Sequence, residues 1–278
     1  MERIKQAIDK ERQQRTGATR QPVVSRPFNN GTSSATSTQI YQELDSVTYS
    51  DTRVVKLNAV HLEKNRIVAY NKNDVMSINF DLLRTLVLQR MEEKGWRTLA
   101  ITSPTPGSGK TVVAINLAMS IAQQTNKTAM LVDFDLRRPK IGTYLGLPAG
   151  KSLNDILEGS AELPDVLVNP DMPRLVVLAT NKPVKNSSEV LSSPKISGLI
   201  NELRDRYESR IVIFDLPPLL VTDDAIALLP QIDCVLMVVA NGMSTKREIE
   251  DSVRLVPAEN LIGTVLNKAE VSLSDYYD

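Results

Sequence analysis

The stretch Thr98-Leu-Ala-Ile-Thr-Ser103-Pro-Thr-Pro-Gly107-Ser-Gly109-Lys-Thr111 decides the fold. An apolar, strand-like run leads into a loop with two glycines. Lys-Thr then opens an apolar-periodic segment, which predicts a helix over Lys110–Gln124. Strand, glycine loop, Lys-Thr and helix in that order form the context of a phosphate-binding loop. Gly107 and Gly109 let backbone N–H groups turn inward with no side chain in the way. The helix N-terminus adds its positive end. Lys110 is placed to reach the β- and γ-phosphates, and the Thr111 hydroxyl suits Mg²⁺. The expected ATP contacts are Pro106, Gly107, Ser108, Gly109, Lys110, Thr111 and Val112. The strict motif has glycine at position 104; Pro104 makes this loop a variant.

Outward from the loop, apolar runs alternate with helical patterns. Strands are expected at Arg97–Thr102, Thr128–Asp133, Arg174–Ala179, Arg210–Asp215, Val235–Ala240 and Leu261–Asn267. Helices are expected at Val75–Lys94, Lys110–Gln124, Ser152–Leu157, Pro194–Glu208, Asp223–Leu229 and Thr245–Leu255. Strands apolar on both faces and joined by helices predict an α/β fold with a doubly wound, mostly parallel sheet.

Two acidic motifs stand at strand ends, where open α/β sheets bind ligands. In Val132-Asp133-Phe-Asp135-Leu-Arg137-Arg138-Pro139, the two aspartates share a side if the chain stays extended. They can then converge on one Mg²⁺, and one of them can accept a proton from an attacking hydroxyl. A helix-capping role for one of them is the alternative. Ile211-Val-Ile-Phe-Asp215-Leu-Pro-Pro218 ends a second apolar strand in an aspartate, which reads as a Mg²⁺-holding Walker B element. Asp223 and Asp224 read as caps of the next helix. Asn267, at the last strand's end, is a candidate base contact.

Composition narrows the class. Lys+Arg and Asp+Glu are both 33, so the formal charge is zero and no bulk nucleic-acid binding is expected. One cysteine, Cys234, and one histidine, His61, argue against disulfides, a zinc site and a Ser-His-Asp triad. No apolar run reaches the roughly 20 residues that span a bilayer, so a cytoplasmic location is expected, with membrane recruitment through a partner. The expected layout is a short charged helix at 1–15, a polar linker at 16–53, the main domain at 54–272 and a tyrosine-containing tail at 273–278. Val54–Leu57 and Arg66–Tyr70 look β-like.

Taken together, Ser103–Thr111, Val132–Pro139 and Phe214–Pro218 resemble the bacterial tyrosine kinases of capsule and exopolysaccharide export. Gly146–Gly159, Asn186–Ser193 and Ile262–Asn267 match the same pattern, so the resemblance runs from about Val75 to Asp278. It implies a P-loop NTPase fold of the deviant-Walker, SIMIBI-like type. It implies ATP-dependent tyrosine autophosphorylation, with Lys110, Asp133 and Asp135 catalytic and Thr111, Asp135 and Asp215 at the metal. Tyr276 and Tyr277 would be phospho-acceptors, and Arg137 and Arg138 would contact phosphate or another subunit. Implied partners are a membrane-embedded chain-length-determinant (Wzz-like) modulator, a cognate tyrosine phosphatase and further copies of the chain.

One departure from the pattern concerns assembly. The family's ring-forming helix carries Glu-x-x-Arg-x-x-Arg; here Ile78 and Asp81 replace the first two residues and Arg84 alone keeps the pattern. Asp81 and Arg84 are spaced to pair with each other instead. Two other readings therefore stand beside the kinase. One is a regulatory ATPase of polysaccharide export with weak kinase activity. The other is a partitioning or positioning ATPase, against which Thr105 stands where that class has a signature lysine.

Overall fold

The computed structural model describes residues 52–124 and 127–269. The expected helix at 1–15, most of the linker and the tail at 273–278 lie outside the described residues.

Eight strands form one sheet: β1 (Arg53–Val54), β2 (Thr98–Thr102), β3 (Thr128–Asp133), β4 (Val168–Asn169), β5 (Leu175–Leu178), β6 (Arg210–Asp215), β7 (Cys234–Ala240) and β8 (Leu261–Asn267). Their order is β1-β4-β5-β3-β6-β2-β7-β8. Every pairing is parallel except β4 with β5. The chain leaves β2 toward β3 on one side and later fills β7 and β8 on the other. The C-terminal end of β2 is thus the switch point at which such sheets bind ligands.

The helices are α1 (Ala59–Lys64), α2 (Ser77–Lys94), α3 (Lys110–Gln124), α4 (Ile141–Leu145), α5 (Leu153–Glu158), α6 (Leu163–Val166), α7 (Ser187–Leu191), α8 (Pro194–Asp205), α9 (Asp224–Leu228) and α10 (Lys246–Leu255). A short 3₁₀ turn, Leu229–Gln231, follows α9. Parallel strands bury both faces, so each must be apolar throughout. β2, β3, β5, β6 and β7 are buried at every position. Alternation sends Ala100, Met130, Val132, Val212 and Phe214 to the core face covered by α8 and α9. Leu99, Ile101, Ala129, Leu131, Ile211 and Ile213 go to the opposite face, against α3. α3 is the most deeply buried helix, with Ala114, Ile115, Leu117, Ala118 and Met119 fully enclosed. α2 packs over α3 through Val87 and Met91.

The segment before α2 departs from expectation. Val54 joins a two-residue edge strand, but Arg66–Tyr70 forms turns rather than a strand. The cause is Asn116, buried in α3. Its side-chain oxygen accepts from the N–H groups of Val68 and Ala69 at 2.8 and 2.9 Å. Its amide donates to the carbonyls of Arg66 and Val112 at 3.0 and 2.8 Å. One side chain thus does what a neighbouring strand would have done for these backbone groups.

Candidate nucleotide and phosphoryl-transfer site

Strand alternation puts the acidic residues on one side. Phe134 and Leu136 pack into the core face opposite α3, where Phe134 stacks on Phe214 with ring centroids 5.1 Å apart. Asp133 and Asp135, one residue out of phase, therefore turn to the α3 face. Asp215 follows the same logic in β6, directly beside Asp133 in the sheet register. Three carboxylates so face the first turn of α3, where Lys110 and Thr111 stand.

Lys110 Nζ lies 2.8 Å from Asp135 Oδ2 and 3.3 Å from Asp215 Oδ1. The Thr111 hydroxyl donates to Asp215 Oδ2 at 2.6 Å. Burial pulls the Lys110 ammonium down, but Asp215 and Asp135 outweigh it and hold its proton more tightly than usual. Burial raises the Asp215 carboxyl, against the opposing pull of Lys110 and the Thr111 hydroxyl. Asp133 is fully buried. Its Oδ2 accepts from the N–H groups of Lys140 and Ile141, both at 3.0 Å, so it also anchors the start of α4. Its Oδ1 is buried without a hydrogen-bond partner. Burial, with Asp215 alongside, pushes the Asp133 carboxyl well above its ordinary value.

The loop itself is held from two sides. Gly107 and Gly109 take φ of 83° and 88°, the left-handed region that favours glycine. A Cβ on Gly109 would stand 2.2 Å from Asn267 Nδ2. Asn267 donates to the Ser108 carbonyl at 2.8 Å. The structure thus places Asn267 as a brace of the loop. On the other side, Leu219 and Leu220 donate backbone N–H groups to the Ser103 and Pro104 carbonyls at 2.9 and 3.2 Å. The Thr102 hydroxyl donates to the Pro217 carbonyl at 2.8 Å. The loop after Asp215 is therefore fastened to the start of the phosphate loop.

A cleft of about 550 Å³ opens over these groups. Pro106, Gly107, Gly109, Lys110, Thr111, Val112 and Asp135 line it, together with Arg137, Arg138, Lys140 and Tyr144. Asp133 and Asp215 sit behind this lining. Asp223 and Asp224 do not cap α9 through their side chains. Asp224, fully buried, takes a two-pronged contact from Arg137, with Nη2 to Oδ1 at 2.9 Å and Nε to Oδ2 at 3.1 Å. Asp223 accepts from the Ser188 hydroxyl at 2.7 Å. Arg137 thus ties the acidic loop to α9. Asn116 and Asp224 were not singled out for these roles from sequence. A polar residue inside the apolar run of α3 was the available signal for Asn116.

Arg84 is distant from the cleft. It pairs with Asp81 at 2.8 Å and donates to the Ser120 hydroxyl at 3.1 Å, turning inward onto α3. Ile78, Leu82 and Leu86 occupy the exposed face of α2 instead. Tyr276 and Tyr277 lie outside the described residues. Among the described residues, no helix is long and apolar enough to cross a membrane.

Comparison with known proteins agrees with this geometry. The AAA domain family model matches residues 96–256. The tyrosine-protein kinase ptk of Acinetobacter johnsonii is 29% identical over 222 residues, covering 77% of this chain and 30% of its own. The tyrosine-protein kinase CpsD of Streptococcus pneumoniae is 29% identical over 183 residues, covering 65% of this chain and 79% of its own. The kinase domain of the Escherichia coli tyrosine kinase ETK superposes with a TM-score of 0.67 at 25% identity, covering 84% of this chain and 96% of that domain. The chain spans 26–30% of the length of the first curated relatives it matches. A P-loop of this build, on this fold, binds nucleotide. The chain belongs to the AAA domain family, and it is similar to bacterial tyrosine kinases and their kinase domains.

Proposed function

We propose that the chain transfers the γ-phosphoryl group of ATP to tyrosine, with Tyr276 and Tyr277 as its own acceptors. The observation that carries this is the placement of Asp135 in the cleft lining, 2.8 Å from the P-loop lysine. A carboxylate facing the cleft supplies what a hydroxyl acceptor needs, a base for its proton.

The residues fit Mg²⁺ by donor chemistry. Thr111 and Asp215 offer hard oxygen donors beside the phosphate cradle, and the orphaned Asp133 Oδ1 adds unspent acceptor capacity. Mg²⁺ held there would neutralise part of the phosphate charge. Thr111, Asp135 and Asp215 would hold it, Asp215 through a water. Lys110 then has a choice of partners. Phosphate oxygens compete with Asp135 for its ammonium, which frees the Asp135 carboxylate to meet the acceptor hydroxyl. In the transfer, the tyrosine oxygen forms a bond to the γ-phosphorus as the bond to the β–γ bridging oxygen breaks. ADP leaves, and the phenolic proton passes to Asp135. Loop N–H groups and Lys110 stabilise the charge on the phosphoryl oxygens. Asp133 holds the start of α4 in place behind the reacting atoms.

The family resemblance supports a polysaccharide-export setting, a membrane-embedded modulator and a cognate phosphatase. The inward-turned Arg84 favours one departure: copies of this chain do not join through that arginine. The test is incorporation of label from γ-labelled ATP with Mg²⁺, with and without a modulator's cytoplasmic tail. Wild type should label, and Tyr276→Phe/Tyr277→Phe should not. Equal labelling of the two would remove these tyrosines as acceptors. No label under any condition would favour the regulatory ATPase.

A further inference from the structure

The lining of the cleft carries charge that the transfer chemistry leaves unused. Arg137 is engaged by Asp224. Arg138 and Lys140 are not: both are exposed, both line the cleft, and no salt bridge engages either side chain among the described residues. Their backbones do different work. The Arg138 N–H donates to Asp135 Oδ1 at 3.1 Å, and the Lys140 N–H donates to Asp133 Oδ2 at 3.0 Å. Each cationic side chain thus starts from the same residue that seats a carboxylate. The acids nearest this rim are already spoken for. Asp135 faces Lys110, while Asp223 holds Ser188 and lies 3.9 Å from Arg137.

The acceptor segment in the sequence has matching charge. Tyr276-Tyr277 is bracketed by Asp275 and Asp278. Lys268, the last cleft-lining residue among those described, stands only eight residues before Tyr276, an extended reach of at most about 28 Å. A tyrosine brought to Asp135 would carry its flanking residues past the positions of Arg138 and Lys140.

Resting on the kinase reading above, we propose that Arg138 and Lys140 determine acceptor specificity. They select tyrosines flanked by acidic residues, and the occupant of this rim is the segment around Asp275–Asp278. The rim sets which peptide binds and leaves the transfer step to Lys110 and Asp135. Two exposed ion pairs give a modest preference, which salt weakens.

The experiment uses the full chain with ATP and Mg²⁺ and three synthetic acceptors of the form Ser-Leu-Ser-X-Tyr-Tyr-X. X is Asp in the first, Asn in the second and Lys in the third. Phosphorylation of each is measured as kcat/KM, beside labelling of the chain itself. The expected wild-type result is an Asp over Asn preference of about tenfold, carried by KM and shrinking at high salt. The double variant Arg138→Glu/Lys140→Glu should reverse the order and favour the Lys peptide. Because each enzyme is judged by its ratio between peptides, a general loss of rate does not obscure the outcome. Equal rates on all three peptides by wild type would overturn the specificity role. So would an Asp preference that survives the charge reversal. Self-labelling without flank dependence sinks this inference and leaves the kinase reading standing. Label on neither peptide nor chain sinks both.

Discussion

Replacing Lys110 with methionine is the usual way to silence a P-loop, and here it should also destabilise the fold. Lys110 Nζ stands 2.8 Å from Asp135 and 3.3 Å from Asp215, with both acids essentially out of solvent. Removing one partner of a buried ion pair costs about 3–5 kcal/mol, because the other charge is stranded. Asp215 keeps the Thr111 hydroxyl, and the carboxylates can take up protons, so the lower end of that range applies. For a domain of this size, a 3 kcal/mol loss lowers Tm by roughly 6–12 °C. The pH dependence has a definite sign. The folded-state proton affinities of Asp133 and Asp215 are raised, first by burial. The stability linked to their protons is present below the ordinary carboxylate range and is lost as pH rises through the raised values. Without Lys110 these values rise further. The deficit of Lys110→Met should therefore be largest near pH 8 and shrink toward pH 5. Lys110→Met/Asp215→Asn should recover much of it. Thermal unfolding of the three proteins at several pH values measures this. A single variant that matches wild type at pH 8, or a deficit that ignores pH, would refute the electrostatic account of the site.

Three further outcomes follow from named contacts. Asp133→Asn removes a buried charge while keeping an oxygen for the Lys140 and Ile141 N–H groups, so Tm should rise as phosphoryl transfer falls; a lower Tm in thermal scans would contradict this. Asn116→Ala strands the N–H groups of half-buried Val68 and buried Ala69, and an unsatisfied buried donor costs about 1–3 kcal/mol. Urea unfolding should show the combined loss, with hydrogen exchange rising first over residues 66–70; a change under about 1 kcal/mol would show that the clamp is dispensable. Gly109→Ala puts a Cβ 2.2 Å from Asn267 Nδ2 at a φ of 88°. Nucleotide affinity, read with a fluorescent ATP analogue, should fall at least about tenfold, and adding Asn267→Ala should restore part of it, because the backbone strain of about 1 kcal/mol remains.

The sequence was most legible where one rule acts alone. Period-two alternation in Leu131–Leu136 and Ile211–Leu216 gives both the buried strands and the side on which the aspartates gather. The glycine loop was legible because its chemistry needs those residues in that order. Legibility failed where a side chain replaces a backbone partner. Ile67-Val68-Ala69 has the composition of a strand, but Asn116, 47 residues away from Ala69, satisfies its N–H groups. Asp224 looks like a helix cap from its place in the chain, and only the fold shows Arg137 reaching it across 87 residues. The helix over Val75–Lys94 was legible, with Val87 and Met91 in the core and Phe80 and Leu83 packed against it, but Ile78, Leu82 and Leu86 give its outer face an apolar surface no spacing rule assigned.

The central claim is that this cleft hands phosphate to tyrosine rather than to water. The most direct measurement follows the γ-phosphate itself. Purified chain and γ-labelled ATP with Mg²⁺ are quenched over a single turnover, with a modulator's cytoplasmic tail supplied. The products are divided into inorganic phosphate and phosphotyrosine, and the labelled residue is located by mass spectrometry. The account predicts phosphotyrosine at Tyr276 or Tyr277, lost when Asp135→Asn removes the cleft-facing base. Label that appears only as inorganic phosphate, at a rate indifferent to Asp135→Asn, would contradict it.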